Sequence, residues 1–277
     1  EATGVPIERI LAGNGSDELL ALIVRATIEP GDAIAYPEPT YVLYETLAAA
    51  QGARVLTTPF DAAFTLPESL ATLPARVFFV ASPNSPSGNS HPAAALERLA
   101  RARPDALVVV DEAYADFADG DALGLVGRLP NLVVLRTFSK SYALAGMRIG
   151  LLFGPEALVA GIGKIKDSYN LDRLALRAGA AALRDGAHMR AGVARIRATR
   201  ARLVAGLASL GYRVLPSDAN FVFARAEPGR ARSDVARLKG AGILVRYFDR
   251  PGLDDGMRVT VGTDEEIDLL LAALGRG

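Results

Sequence analysis

"LVVLRTFSKSYALAGMRIG", Leu132 to Gly150, decides the fold: an apolar run without polar alternation, a lone lysine between two serines, then a glycine-bearing turn into a second apolar run. Short continuous apolar runs mark strands buried on both faces, the condition of a mainly parallel sheet covered by helices on both sides. Lys140 then stands at a strand end, where open α/β sheets keep their ligands.

Working outward, "RVFFV" and "ALVVV" share this texture and belong with "LVVL" at the centre of the sheet. From Arg9 to about Phe138 such runs alternate with amphipathic stretches, among them "SDELLALIVRATI", "TYVLYETLAAAQG" and "AAALERLARA". That alternation is the signature of an α/β fold. From Arg173 to Leu210 the chain turns rich in Ala, Arg and Leu, strong helix formers, which predicts long helices leaving the sheet. After Gly211 the pattern strand, strand, helix, strand, strand, helix predicts a small α+β unit. Its last helix opens at "VGTDEE", where Thr263 can cap and three acids face the positive end of the helix dipole. The expected division is therefore a large domain over residues 1–172 and a small one over 173–277.

Lys plus Arg and Asp plus Glu each number 31, so no global field calls for nucleic acid or an anionic membrane as partner. Cysteine is absent and the two histidines, His91 and His188, lie far apart, which removes thiolate chemistry and predicts no metal site. No apolar run approaches the about eighteen residues of a membrane helix, and no signal pattern opens the chain. The expected location is the cytoplasm and the expected partners are small molecules.

Lys140 alone also reads as a solvated loop residue, so its surroundings must carry the chemistry. An available lysine amine attacks an aldehyde, and pyridoxal phosphate is the cofactor that exploits this. Such a cofactor needs an acid at its pyridine nitrogen, a donor to its ring oxygen, a flat neighbour and donors for its phosphate. "VVVDEAY" puts Asp111 at the end of a buried strand and Tyr114 three residues on; Asp111 also reads as a helix cap. "GNGSDELL" offers the backbone N–H groups of Gly15, Ser16 and Asp17 at a helix start, with Ser16 also able to cap that helix. Thr137, Ser139 and Arg148 add two hydroxyls and a guanidinium. "YPEPTY" ends in Tyr41, which can cover a ring face or simply pack. "GNGSDE" also imitates a nicotinamide fingerprint, but Glu18 occupies the place of its third glycine.

Together "GNGSDE", "PEPTY", "SPNSPSG", "DEAY", "SKSYALAGMRIG" and "MRVTVGTDEE" resemble fold-type I pyridoxal-phosphate aminotransferases, most closely the histidinol-phosphate aminotransferases. The resemblance spans nearly the whole chain. It implies a large domain with a mainly parallel seven-stranded sheet flanked by helices, plus a small C-terminal α+β domain. It implies that Lys140 joins the cofactor covalently and then moves a proton, that Asp111 pairs with the pyridine nitrogen, that Tyr114 bonds the ring oxygen and that Tyr41 stacks on the ring. Gly15, Ser16, Asp17, Thr137, Ser139 and Arg148 would hold the phosphate. The family's second ring-oxygen ligand is an Asn directly before "PTG"; here Ser85 stands there, so either Ser85 or the adjacent Asn84 serves. Asn170, Arg246 and Arg258 match substrate positions, although an arginine such as Arg246 also reads as a surface residue on an edge strand. The implied reaction is transamination between histidinol phosphate and 2-oxoglutarate in a homodimer. The same scaffold also serves threonine-phosphate decarboxylases and aromatic-amino-acid aminotransferases, and a noncatalytic cofactor-binding module or a nicotinamide oxidoreductase are the readings from other classes. Family members usually carry several tens of residues before the stretch matching "GVPIERILAGNGSDE", so a further segment ahead of Glu1 is expected.

Overall fold

Apolar runs that looked buried on both faces are so in the computed structural model, which describes residues 3–275. In chain order the first part gives β1 (Ile10–Asn14), α1 (Gly15–Thr27), β2 (Ala33–Glu38), α2 (Leu43–Ala50), β3 (Arg54–Pro59), β4 (Val77–Ala81), α3 (Ala93–Ala102), β5 (Leu107–Asp111), β6 (Leu132–Thr137), β7 (Ile149–Phe153) and α4 (Glu156–Gly163). The strands form one seven-stranded sheet in the order β1-β7-β6-β5-β4-β2-β3. Strands β2 to β6 pair in parallel, while β7 runs antiparallel to both β6 and β1.

Side-chain alternation explains the missing polar pattern. Val77 and Phe79, Val109, and Val133 and Leu135 enter the core under α1 and α2, whereas Phe78 and Val80, Val108 and Val110, and Leu132 and Val134 enter the core under α3. A strand with helices on both faces has no solvent side to mark with polar residues. Each such side chain contributes about 1.5–3 kcal/mol relative to exposure.

The reversed strand decides where the chemistry can gather. Because β7 runs against its neighbours, its beginning lies at the sheet edge where β1, β4, β5 and β6 end, with Asn14 opposite Ile149 and Thr137 opposite Gly150. Arg148, directly before β7, is thereby delivered beside Thr137 and the start of α1.

The remainder comprises α5 (Arg173–Arg184), α6 (Gly186–Ser209), β8 (Arg213–Val214), β9 (Phe221–Arg225), α7 (Arg230–Gly240), β10 (Arg246–Tyr247), β11 (Gly256–Thr260) and α8 (Asp264–Leu274). Its strands make an antiparallel sheet ordered β10-β11-β9-β8 over a separate core that includes Leu203, Leu207, Val222, Met257 and Ile267. Thr263 caps α8 in a reciprocal capping box with Glu266.

Two elements are new and two local expectations shift. Strand β3 and helix α4 carry no expectation from the sequence: β3 is an edge strand with an exposed start, and α4 is one of the two shortest α-helices among the described residues and holds two glycines. Ser16 is no cap; α1 begins at Gly15, and the Asn14 N–H is taken instead by Glu18 Oε2 at 2.5 Å. Helix α5, placed beyond the division at residue 172, packs Ala175 against Ile149 of the first sheet and against Phe138, just past the end of β6. The change of core falls one helix later, along α6.

Candidate active site

Each element of the first sheet delivers its polar residue to one edge. Strand β5 ends in Asp111, β6 ends in Thr137 with Ser139 and Lys140 following, and α1 begins at Gly15 and Ser16. All of these but Gly15, with Asp17, Tyr41, Ser85, Tyr114, Arg148 and Arg258 of β11, line a cavity of about 280 Å³. A larger cavity of about 750 Å³ meets it at Tyr41 and contains Phe60, Phe64 and Phe248, but none of Lys140, Asp111 or Arg148. The reactive groups therefore gather in the smaller space.

Asp111 is buried, and one of its oxygens accepts the Tyr44 hydroxyl at 2.9 Å while the other faces the Ala113 N–H at 3.3 Å. Burial pushes its carboxyl up to about 6; the two hydrogen bonds and the Lys140 charge pull it back, and the Asp17 charge raises it further. A cation in front of it would remove most of that penalty. Tyr44 itself is buried, its phenol held protonated by burial and by the adjacent Asp111 charge, so it acts as a donor. Burial and the charges of Asp17 and Asp111 push Tyr41 up to about 12.

The Lys140 Nζ lies 5.4 Å from the centre of the Tyr114 ring, and that ring meets Phe221 of β9 edge-on at 5.0 Å. Thr137 Oγ1 donates to Ser139 Oγ at 3.0 Å and accepts the Ser139 N–H at 3.2 Å, a tight hydroxyl-bearing turn leading into Lys140. Arg148 adopts a left-handed backbone at φ 50°, a conformation that costs a non-glycine residue about 1 kcal/mol or more. Its guanidinium reaches Asp17 at 3.4 Å, and both partners are about half exposed, so the pair is weak and easily exchanged for another anion.

Two glycines keep this corner open. A Cβ on Gly15 would stand 2.6 Å from Arg148 Nη2, and one on Gly150 would stand 2.5 Å from the Gly15 carbonyl carbon and 2.6 Å from the Ser16 nitrogen. Backbone N–H groups at the start of α1, two hydroxyls and a guanidinium thus share a cradle that only glycine leaves free, which fits a phosphate.

Arg258 enters from the second sheet. Its Nη1 donates to Ser85 Oγ at 2.9 Å, its guanidinium covers Phe221 at 5.0 Å, and its Nε is buried without a partner among the described residues. Arg246 lies directly opposite on β10, with Phe248 beneath both guanidinium groups at 5.5 and 5.8 Å, but it is exposed and outside the cavity lining.

Two amides expected at the site are used elsewhere. Asn84 is fully buried and its side chain is committed to Thr40, the Pro39 carbonyl and Ser87, which leaves Ser85 as the residue that faces the cavity. Asn170 braces the turn before α1, donating to Glu18 at 2.8 Å and to the Ala12 carbonyl at 3.3 Å, and does not line the cavity. Conversely, Tyr44 escaped the sequence reading; its one signal is the spacing of three residues after Tyr41, which at a helix start carries it under the same strand ends.

Similarity over the whole chain points to one family. The family model for aminotransferase class I and II matches residues 3–274. A histidinol-phosphate aminotransferase 1 of Trichormus variabilis is 44% identical over 272 residues, covering 98% of this chain and 77% of that protein. A histidinol-phosphate aminotransferase of Geobacter sulfurreducens is 47% identical over 271 residues, covering 96% and 75%. Among solved structures, the histidinol-phosphate aminotransferase of Sinorhizobium meliloti in complex with pyridoxal 5'-phosphate superposes with a TM-score of 0.93 at 31% identity, covering 99% of this chain and 78% of that one.

Proposed function

The chain belongs to the class I and II aminotransferases, and from that premise we propose that it is a pyridoxal-phosphate enzyme exchanging the amino group of histidinol phosphate with 2-oxoglutarate, giving imidazole acetol phosphate and glutamate. The observation that carries the proposal is that Lys140, Asp111 and Arg148 line one cavity of about 280 Å³ together with Arg258. Names of relatives support the choice of substrate; the arginines of the second sheet support a substrate with an anionic end.

Pyridoxal phosphate supplies an aldehyde that takes up the amino group and a ring that withdraws electrons. The rest is the work of this chain. The Gly15 and Ser16 N–H groups, Thr137, Ser139 and Arg148 would hold the phosphate, in the corner that Gly15 and Gly150 leave free of side chains. Asp111, ionised once a cation faces it, would hold a proton on the pyridine nitrogen. Tyr114 would donate to the ring oxygen and Tyr41 would cover the ring. Lys140 would remove the proton from the substrate α-carbon as a general base and return it as a general acid. Ser85 stands where the family has Asn; its oxygen accepts from Arg258, which leaves its own O–H free to donate towards the ring oxygen beside Tyr114. Arg258 binds the anionic end of the substrate, with Arg246 extending the positive field at the mouth.

The homodimer and the cytoplasmic location belong to the same proposal. Supporting the first, Tyr169, Leu174 and Leu176 stand 96%, 76% and 53% exposed on one stretch of chain, an apolar surface suited to a second copy. The second follows from the biosynthetic role proposed here.

The decisive experiment reduces the cofactor-loaded protein with borohydride and maps the label by mass spectrometry. The label is expected on Lys140, the visible band is expected to shift on adding glutamate, and imidazole acetol phosphate should restore it. Labelling at another lysine, or a band indifferent to glutamate, would refute the proposal.

A further inference from the structure

The residues next in sequence to the two reactive groups are joined to each other by a half-buried ionic chain. Glu112 follows Asp111 and Ser141 follows Lys140. Between them, Arg136 of β6 binds Glu112 Oε2 through Nε at 2.7 Å and Asp116 Oδ1 through Nη1 at 3.0 Å, and the Ser141 hydroxyl donates to the other Asp116 oxygen. Glu112 is 1% exposed and its second oxygen accepts the Ala122 N–H at 2.5 Å, so it cannot swing away without stranding a donor. Arg136 also pairs with Asp121 at 2.9 Å, so one guanidinium faces three carboxylates.

Such a cluster is a poor way to gain stability, because taking its charges out of water costs about as much as their attraction returns. A planar guanidinium does fix the relative position of the carboxylates it bridges. We propose that Arg136, Asp116 and Ser141 form a positioning clamp that sets the Lys140 amine against Tyr114 and Asp111. None of the three lines the cavity. They act through the main chain on either side of it: Tyr114 lies between Glu112 and Asp116, and Lys140 is held from behind by Ser141. This inference rests on the pyridoxal reading of the cavity.

The test compares Ser141→Ala with Ser141→Thr, which keeps the hydroxyl. In Ser141→Ala the single-turnover rate with glutamate is expected to fall about tenfold with KM within twofold, as misplacement of a reacting group without lost contacts would cause. The circular dichroism of the visible cofactor band should weaken. In the cofactor-free protein, hydrogen exchange over residues 137–144 should accelerate in Ser141→Ala and return towards the parent value in Ser141→Thr. Asp116→Asn, which keeps an acceptor for Ser141 but loses the ion pair, should fall between the two. If Ser141→Ala matches the parent in rate, dichroism and exchange, the clamp is refuted while the pyridoxal reading stands. If Ser141→Thr is as impaired as Ser141→Ala, the hydroxyl is not the agent and the clamp is also refuted. A parent protein without a borohydride-sensitive band would overturn the pyridoxal reading itself and this proposal with it.

Discussion

Tyr44 donates to Asp111 at 2.9 Å from inside the core, where its ring stacks on Phe79 at 4.7 Å, so neither partner can turn away. The bond favours the ionised carboxylate and opposes the burial that lifts Asp111 to about 6. Removing the hydroxyl therefore moves the carboxyl further up. Tyr44→Phe is expected to lower kcat and, in the cofactor-free protein, to move the Asp111 titration upward by about one to two pH units, the equivalent of a hydrogen bond to a charged group at about 1.5–3 kcal/mol. Following the Asp111 carboxyl by NMR in the cofactor-free protein would check this; a titration in the same place as the parent's would show that Tyr44 only packs. The same residue illustrates what a sequence hides. Asp111 was legible because a polar residue closing an apolar run must sit at a strand end, and Lys140 and Arg148 because they stand between two such runs, after β6 and before β7. Tyr44 was not, since its partner is 67 positions away and nothing in the pattern of α2 separates a phenol that packs from one that also donates.

At the scale of elements, β7 and α1 approach so closely at Gly150 and Gly15 that the phosphate corner exists only while both lack a side chain. In Gly150→Ala the new carbon meets backbone at 2.5 and 2.6 Å rather than a flexible side chain, so relief requires β7 or the start of α1 to move. A cost of about 1–3 kcal/mol in stability is expected from such overpacking. Cofactor affinity should fall about tenfold, roughly one lost charge-assisted contact. Thermal melts and spectrophotometric titration with pyridoxal phosphate measure the two, and Gly146→Ala, with nothing within 4 Å of its added carbon, is the control that should leave stability unchanged. An unaltered affinity in Gly150→Ala would remove the cradle from the argument. Elements were legible in proportion to their burial: β4, β5 and β6, buried at nearly every position, announced themselves as apolar runs. Strand β3, exposed along its first half at the sheet edge, reads as "RVLTTP" and shows neither an apolar run nor clean alternation. Asn84 and Asn170 show a different limit, because an amide beside a site in sequence is equally useful for bracing the loop that shapes it, as both do here.

On the scale of the whole molecule, the two sheets meet around the cavity through the loop after β4. Arg258 bonds Ser85, the Asp218 N–H bonds the Gly88 carbonyl at 2.7 Å, and the Asp218 carboxylate accepts the Ser90 N–H at 3.2 Å. His91 ends this loop, stacked on Phe60 at 5.6 Å with its Nε2 unpartnered among the described residues, and burial lowers it from 6.5 to about 4. The unfolded chain then binds the extra proton between those values, so this contribution to stability is complete above pH 6.5 and is lost as the pH falls towards 4, by at most about 3 kcal/mol. His91→Phe should flatten the acid limb of the melting temperature; Asp111 titrates with the opposite sign but in both proteins, so the difference isolates His91. An equally steep limb in the variant would show that the seam is not where acid acts. The same seam decides what Arg258 does, since it is the one arginine of the second sheet within the cavity lining. If it holds the substrate's phosphate, Arg258→Gln should raise KM for histidinol phosphate by about tenfold to a hundredfold, the worth of one or two charged hydrogen bonds, and leave KM for glutamate less affected. Arg246→Ala, removing an exposed charge that touches the site only through Phe248, should raise the same KM less than fivefold, an effect that salt screens. Steady-state kinetics of both variants with both amino donors, at low and high ionic strength, test the ordering. A larger loss from Arg246 than from Arg258 would mean that the phosphate sits outside the cavity, towards β10, and that the 280 Å³ space holds only the cofactor and the reacting carbon.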